Sequence, residues 1–282
     1  MRVRETLLYP FAKRFFAGVG LNDAIARAKE DNRAGMGATV DYLGEDVNTT
    51  AEAEHAAEEY IRAVESVSSS GLDASVSVKL THIGLDISRE LAENNAAEIV
   101  KTASERGVFI WLDMEDSSHT SETLSIYGGL LSSGAQVGVA VQAYLKRSMD
   151  DVRSVARSGG VVRIVKGAYN ETEDIAYGNM PEIRGNFIDM ARYLLSEGRR
   201  FAVGTHDRPL IDQLLLVSSG GKGVEFQMLM GIRDDMKARL AASGSRVVEY
   251  IPYGSEWYGY GLRRVREKRR NLLYMAQGLM GR

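Results

Sequence analysis

The chain has 282 residues, enough for one or two domains with a sizeable hydrophobic core, and its 44% apolar and 26% charged residues are typical of a globular protein. It contains no cysteine, which excludes disulfides, thiolate metal sites, cysteine nucleophiles and iron–sulfur clusters. The 35 basic and 38 acidic residues give a net charge of -3, so the basic excess of a duplex nucleic-acid-binding protein is missing and no nucleic acid is expected as a partner. No apolar run approaches the ~18 residues of a membrane span. With no signal peptide, the sequence predicts a cytoplasmic protein.

Eight runs rich in apolar and β-branched residues, each bounded by glycine, serine or aspartate, are predicted as strands. In chain order they are Met36–Glu45, Ser75–Gly84, Val108–Asp116, Val137–Leu145, Val161–Tyr169, Arg200–Asp207, Val224–Leu229 and Val247–Gly254. The segments between them carry apolar residues at helical spacing and are predicted as helices. Those segments are Ala51–Val67, Glu90–Arg106, Ser121–Leu131, Met149–Ser158, Asn186–Ser196, Pro209–Val217 and Asp234–Ala242, with a long final one over Glu256–Met280.

This alternation of strand and helix predicts parallel strands joined by crossover helices. An open doubly wound sheet is the alternative, but its glycine-rich phosphate turn is missing after the first strand, where the chain continues Gly44-Glu45-Asp46. We therefore predict an α/β protein with a (βα)8 TIM-like barrel over residues 34–282, preceded by an N-terminal helical segment over residues 1–33. In such a barrel, chemistry takes place at the carboxyl ends of the strands.

Most of the predicted strands end in polar side chains, and Arg163 lies inside an apolar run. A lone buried charge costs several kcal/mol, so this guanidinium needs a partner. It either forms an ion pair with Asp113 or Glu115 in the barrel mouth or faces an anionic ligand, and the two roles are compatible. Asp113 and Glu115 also permit paired-carboxylate chemistry if both face inward.

Lys79 and His206 are further candidates at strand ends. Three roles are open for Lys79: a surface lysine, a partner for a substrate carboxylate, or a Schiff-base amine. The sequence does not distinguish among them. His206 follows Thr205 where a loop begins. With four histidines in the chain and no HExxH spacing, no metal site is predicted.

The segment after the last predicted strand places Tyr260, Arg263, Arg264 and Glu267 at i, i+3, i+4 and i+7 on one helix face. Paired guanidinium groups on that face suit a carboxylate, each contact contributing about 4 kcal/mol before desolvation at ~4 Å and an effective dielectric of ~20. Two alternatives remain open because residues 263–270 include six basic residues. The run is either a solvated charged surface or a segment attracted to an anionic membrane.

Seven motifs in order carry a family resemblance. The last is Tyr250-x-Pro-Tyr-Gly followed by Trp257-x-x-Tyr260-x-x-Arg263-Arg264-x-x-Glu267. The earlier ones are Val78-Lys79-Leu80, Leu112-Asp113-Met114-Glu115-Asp116, Val141-Gln142-Ala143-Tyr144-Leu145, Arg163-Ile-Val-Lys166-Gly167-Ala168-Tyr169, Thr205-His206-Asp207 and Glu225-Phe226-Gln227-Met228-Leu229. From about Arg33 to Asn271 the chain resembles the proline dehydrogenases, flavin-dependent barrel enzymes of proline catabolism.

The resemblance implies that FAD is held at the barrel mouth. It places Arg163 near the reactive nitrogen of the flavin. The other residues that it assigns to cofactor binding are Met114 (through its backbone), Gln142, Lys166, Gly167, Ala168, Thr205 and His206.

The resemblance also implies that L-proline lies against the flavin ring, with Asp113 orienting the groups around it and Tyr250 packed beside it to admit proline over hydroxyproline. Asp113, Arg163 and Tyr250 are thus the expected catalytic residues. Glu45 is expected to pair with Arg263 as a gate. The residues expected to bind the substrate are Lys79, Tyr260, Arg263 and Arg264.

By the same resemblance, the product is 1-pyrroline-5-carboxylate and the electrons pass to a quinone, with a peripheral contact on the inner membrane face as a further expectation. A separate enzyme is expected to oxidise the product. After Glu267, Lys268-Arg269-Arg270-Asn271 replaces a turn that commonly contains proline in the family, so the helix is expected to continue and the membrane contact to differ.

Two other hypotheses come from the residues themselves. A barrel with reactive lysines is typical of Schiff-base aldolases, for which Lys79 or Lys166 is the candidate. A barrel with polar strand ends also suits a protein that binds an amino acid without catalysis.

Overall fold

The computed structural model describes residues 3–264, and their side chains from residue 8 onward. Its eight parallel strands pair in chain order, and the last pairs with the first, so that they form a closed barrel. This confirms the predicted (βα)8 fold. The strands are β1 (Gly37–Tyr42), β2 (Ala74–Val78), β3 (Phe109–Leu112), β4 (Val137–Gln142), β5 (Val161–Val165), β6 (Phe201–Gly204), β7 (Val224–Leu229) and β8 (Arg246–Tyr253).

Two helices precede β1, and one helix follows each of the strands β1 to β7. They are α1 (Val3–Ala12), α2 (Leu21–Arg33), α3 (Thr50–Ser69), α4 (Arg89–Arg106), α5 (Thr120–Ser132), α6 (Ser148–Arg157), α7 (Met180–Ser196), α8 (Arg208–Val217) and α9 (Asp234–Ala242). A short 3-10 turn covers Thr81–Ile83, and residues 257–264 are helical. In this part of the chain no helix is both long and apolar enough to cross a bilayer.

Most observed strands are shorter than predicted, because the polar residues at their predicted ends lie in the loops that follow. Helix α7, between β5 and β6, instead begins earlier than predicted. Its first turn is capped by Asn179, whose side-chain oxygen accepts a hydrogen bond from the Glu182 backbone N–H at 3.0 Å. Pro181 lies in that first turn, where its missing backbone N–H costs no hydrogen bond within the helix.

Side chains alternate between the two faces of the barrel wall. Val40, Val76 and Ile110 are paired neighbours in register, fully buried on the outer face against the helices. The adjacent positions point into the barrel, and several of them are polar, as Thr39 and Ser75 show with a hydroxyl–hydroxyl contact of 2.8 Å. The barrel interior therefore carries a polar core, while the main hydrophobic core lies between strands and helices.

Helix α2 packs against β1 and β8 and is fixed there by buried charges. The carboxylate of Glu249, fully buried on β8, accepts hydrogen bonds from Arg27 of α2 at 2.7 Å and from Lys237 of α9. Arg27 also pairs with Asp31 at 3.0 Å. Ions removed from water stabilise a fold only when they are paired, so this cluster ties α2 and α9 to the same strand.

We expect Lys237→Met to destabilise the protein by about 3 kcal/mol, because it leaves the buried Glu249 carboxylate with fewer donors. The free energy of unfolding is measured by chemical denaturation. Lys222→Met removes an exposed lysine and is the matched control, expected to change stability by less than about 0.5 kcal/mol. Equal losses in the two variants would contradict the assigned role of Lys237.

Candidate active site

Arg163 occupies the centre of the barrel mouth and is 2% exposed. One terminal nitrogen donates to Asp113 Oδ1 and, at 2.9 Å, to the Ser77 hydroxyl. The other donates to Gln227 Oε1 at 2.8 Å. These partners come from three other strands or strand ends, so the closed barrel fixes the orientation of a permanently charged guanidinium.

Two aromatic rings enclose the same guanidinium. Its carbon lies 4.9 Å from the centroid of the Trp111 ring and 5.7 Å from that of Tyr250. Gly138 makes room for the indole, since a Cβ at this position would lie 2.5 Å from the Trp111 ring. The Arg163 guanidinium is thus held in place by its charged partner and by packing against the two rings.

Asp113 and Glu115, which both follow β3, have separate environments. Burial would raise the pKa of Asp113, but the charges of Arg163 and Lys79 and a hydrogen bond from the Tyr250 hydroxyl at 2.6 Å hold it below the ordinary value. Glu115 instead accepts from Thr81, and burial raises its pKa to about 7. Arg163 therefore pairs with Asp113 and not with Glu115, and the two carboxyls do not form a catalytic pair.

Lys79 lies between two carboxylates, with its nitrogen 2.7 Å from Asp41 and 3.4 Å from Asp113. Burial would lower the pKa of Lys79, but the charge of Asp41 and the neighbouring groups raise it well above the ordinary value. A Schiff-base lysine must lose its proton before it attacks a carbonyl, so this environment opposes the aldolase hypothesis for Lys79. It suits a lysine that stays cationic beside a carboxylate ligand.

The residues that the resemblance assigns to the cofactor lie at neighbouring strand ends. They are Met114 after β3, Gln142 at the end of β4, Lys166, Gly167 and Ala168 after β5, and Thr205 and His206 after β6. Gly167 has φ 105°, and a Cβ there would lie 2.2 Å from the Tyr144 ring. Lys166 pairs with Asp207 at 3.2 Å. The loop after β5 thus packs its glycine against Tyr144 and carries a cation beside Asp207.

Two of these assigned side chains hold neighbouring backbone in place. Gln142 is buried and donates to the Glu115 carbonyl oxygen at 2.6 Å. The Nε2 atom of His206 accepts from the Leu229 N–H at 2.8 Å, and burial lowers its pKa to about 3. His206 is therefore a neutral imidazole whose other nitrogen carries the proton.

The helical residues 257–264 bring the predicted substrate-binding face to the barrel mouth. Arg263 donates to Glu45, which follows β1, at 2.9 Å. Tyr260 is buried, and the Arg264 guanidinium lies 5.2 Å from the centroid of its ring. Glu267 and the predicted continuation of the helix lie outside the described residues.

The N-terminal segment packs against this helix. Trp257 stacks on Phe16 with parallel rings 5.4 Å apart and meets Tyr9 edge-on at 5.2 Å. Ala12 approaches Gly261 so closely that a Cβ on the glycine would lie 2.7 Å from the alanine methyl. Elements from both ends of the described chain thus position Arg263 and Arg264.

Four residues of the site had no specific role predicted from the sequence, although Gln227 lies in one of the quoted motifs. Ser77, Trp111 and Gln227 contact Arg163, and Asp41 contacts Lys79. Each lies on a strand at an inward position, two residues before the end or closer. The alternation of side chains along a strand predicts that these positions face inward. Only the closed barrel shows which inward residues are in contact.

Comparison with known proteins agrees with this geometry. The family model described as proline dehydrogenase matches residues 24–277. Proline dehydrogenase 1 of Bacillus subtilis subsp. natto is 37% identical over 276 residues, or 95% of this chain and 90% of that protein. Proline dehydrogenase of Deinococcus radiodurans is 36% identical over 282 residues, or 97% and 91% of the two chains.

Among solved structures, proline utilization A from Bdellovibrio bacteriovorus, inactivated by N-propargylglycine, matches with a TM-score of 0.84 and 27% identity. The match covers 90% of this chain and 32% of that one, so the chain spans about a third of the larger protein. Since the family model and the curated relatives span both the barrel and the residues at its mouth, the chain belongs to the proline dehydrogenase family, whose members are enzymes of proline oxidation.

Proposed function

We propose that this protein oxidises L-proline to 1-pyrroline-5-carboxylate with FAD as its bound oxidant. The proposal rests on one observation: a buried guanidinium group and one from the last helix lie at the same barrel mouth. Arg163 is fixed in the barrel interior, and Arg263 reaches the same mouth from the helix at residues 257–264 through Glu45. A fixed interior cation suits a redox ring that gains negative charge, and a cation above it suits a carboxylate substrate.

The residues after β4, β5 and β6 fit a flavin dinucleotide. Lys166 supplies a positive charge for phosphate, and it is followed by Gly167, whose φ of 105° favours glycine. The Oδ1 atom of the buried Asp207 has no hydrogen-bond partner within the described residues, so it is available to a hydroxyl of the nucleotide. Gln142, Thr205, His206, Ala168 and the Met114 backbone complete the proposed cofactor site.

A flavin held by these residues would supply the acceptor for a hydride from the substrate carbon beside the nitrogen. Arg163 stabilises the negative charge that the hydride acceptor would gain. Asp113 sets the orientation of this guanidinium before any substrate arrives. Asp113 stays ionised, since the neighbouring cations hold its pKa below the ordinary value. Burial raises the pKa of the Tyr250 phenol well above its usual range, so this group remains a hydrogen-bond donor to Asp113.

The substrate is held by cations on two sides of the mouth. Arg263 and Arg264 bind the carboxylate of proline from the last helix, and Lys79 binds it from the end of β2. Tyr260 packs with Arg264 and keeps that guanidinium in place. The ion pair of Arg263 with Glu45 acts as a gate that closes over the substrate.

The acceptor of the electrons is a quinone, and a separate enzyme oxidises the product. Both assignments rest on the family resemblance. A quinone acceptor implies a peripheral contact with a membrane. The exposed side chains of Phe11 in α1 and Val19 before α2 are consistent with such a contact.

The visible absorption spectrum of the purified protein tests the proposed function. After reconstitution with FAD, the protein is expected to show the oxidised flavin band and to lose it when proline is added without oxygen. The Bdellovibrio relative is inactivated by N-propargylglycine, and the same compound is expected to inactivate this protein more slowly when proline is present. Protein that stays colourless, with no proline:dye reductase activity in added FAD, would refute the proposal. Tight proline binding without flavin reduction would instead indicate a non-catalytic barrel.

Arg263→Met and Arg264→Met are each expected to raise the KM for proline at least about tenfold, which is ~1.4 kcal/mol of lost carboxylate binding, while FAD content stays unchanged. Steady-state kinetics and the ratio of flavin to protein absorbance measure the two quantities. Arg239→Met on α9 removes an arginine of similar exposure, paired with Asp212, and serves as the matched control. An unchanged KM in both mouth variants would remove these arginines from the substrate site.

A further inference from the structure

The 3-10 turn Thr81–Ile83 forms hydrogen bonds with the loops that follow β1 and β3. It begins two residues after Lys79. All three residues of the turn are buried. Their side chains are therefore enclosed by neighbouring residues.

Thr81 joins the two loops through hydrogen bonds. Its backbone N–H donates to Glu115 Oε2 at 3.1 Å, and its hydroxyl donates to the other oxygen of the same carboxylate. The hydroxyl then accepts from the Asp46 N–H at 3.2 Å. A hydroxyl has one proton to give, so the bond to Glu115 leaves its oxygen directed at Asp46.

His82 holds the other side of the same loop. Its ring stacks on Tyr42 with centroids 5.0 Å apart, and its Nδ1 lies 3.1 Å from the Tyr60 hydroxyl. The ring fills the space beside Gly44, where a Cβ would lie 2.1 Å from Nε2. The loop backbone therefore rests directly on the imidazole.

Glu45 lies between these two contact points. Asp46 adopts the left-handed conformation, with φ 55°, which is uncommon outside glycine and persists where surrounding contacts hold it. Its N–H is the one that Thr81 holds. The turn after β2 thus fixes the residues on both sides of Glu45, whose carboxylate reaches Arg263.

We propose that Thr81 and His82 are positioning residues for substrate capture: by holding Asp46 and Gly44 they place Glu45, and through it Arg263, over the barrel mouth. The inference rests on the proposed function, which assigns Arg263 to the substrate carboxylate. It adds residues that touch neither substrate nor cofactor. Glu115 anchors the turn, so the loop after β3, which also carries Asp113, sets the position of the gate.

A double-mutant cycle on the full-length, FAD-loaded protein tests this inference. Thr81→Val keeps the shape of the side chain and removes the hydroxyl, and it is expected to raise the KM for proline about fivefold, the effect of one hydrogen bond. The value of kcat and the Kd for FAD are expected to stay within about twofold. In a Glu45→Gln background the same change is expected to alter KM by less than about twofold, because the two residues act through one interaction.

Thr81→Ser retains the hydroxyl and is expected to restore the wild-type KM. Thr39→Val is the matched control, since it removes another buried threonine hydroxyl, bonded to Ser75 within the barrel, and is expected to leave KM unchanged. A Thr81→Val effect that is no larger than that of Thr39→Val would overturn the proposal. So would an effect that persists in full in the Glu45→Gln background.

A second pair of variants tests the loop if Thr81→Val does not fold. Gly44→Ala is expected to raise KM several-fold, since the new methyl group meets the His82 ring, and Gly44→Ala with His82→Ala is expected to recover part of the loss because the ring is gone. No recovery would contradict the role of His82. Wild-type protein that shows no flavin reduction by proline would overturn both this inference and the proposed function, whereas normal proline oxidation with additive effects would overturn this inference alone.

Discussion

The buried ion pair of Arg163 and Asp113 is the interaction on which the rest of the structure depends. An unpaired guanidinium in the barrel interior would cost several kcal/mol, and its hydrogen-bond partners lie on or directly after β2, β3 and β7, with Tyr250 of β8 alongside. Those strands surround the cation only when the barrel closes. The closed fold therefore stabilises the charge, and the charge specifies which inward positions are polar. Site and fold are thus specified by the same residues.

The pair belongs to a row of alternating charges that runs from Asp41 through Lys79 and Asp113 to Arg163. The row is neutral in total, but its two carboxylates differ in their neighbours. Asp113 lies between two cations, which hold its pKa below the ordinary value. Burial instead raises the pKa of Asp41 to about 6, although the charge of Lys79 opposes that rise. A change at one member therefore alters the charge balance at the next. Such coupling links the proposed carboxylate site at Lys79 to the proposed flavin site at Arg163.

The sequence alone predicts much of this arrangement, because the barrel follows from the repeated strand and helix, and charged residues such as Arg163 interrupt apolar strands where parallel strands end. It does not predict which inward residues meet, since Ser77 and Trp111 become partners of Arg163 only through the register and closure of the barrel. The pairing of Arg163 with Asp113 instead of Glu115 has the same origin. A two-residue spacing places both carboxyls on one face of an ideal strand, but the chain leaves β3 at Leu112, so Glu115 follows the loop toward Thr81.

The same limit applies to the helix at residues 257–264. Polar residues occupy one of its faces, whereas a helix on the barrel wall usually has apolar residues there. Helix α2 occupies the outer surface of β8 and β1, held by Arg27 on Glu249, so that place is already filled when the chain leaves β8. Trp257 and Tyr260 pack instead with the N-terminal residues and Leu43 after β1, in a small hydrophobic cluster of their own. Because the apolar side of the helix is covered there, Arg263 is free to extend toward Glu45 at the mouth. A helix that packed on the wall would bury this face and lose the guanidinium pair, so the N-terminal segment is a structural requirement of the proposed substrate site.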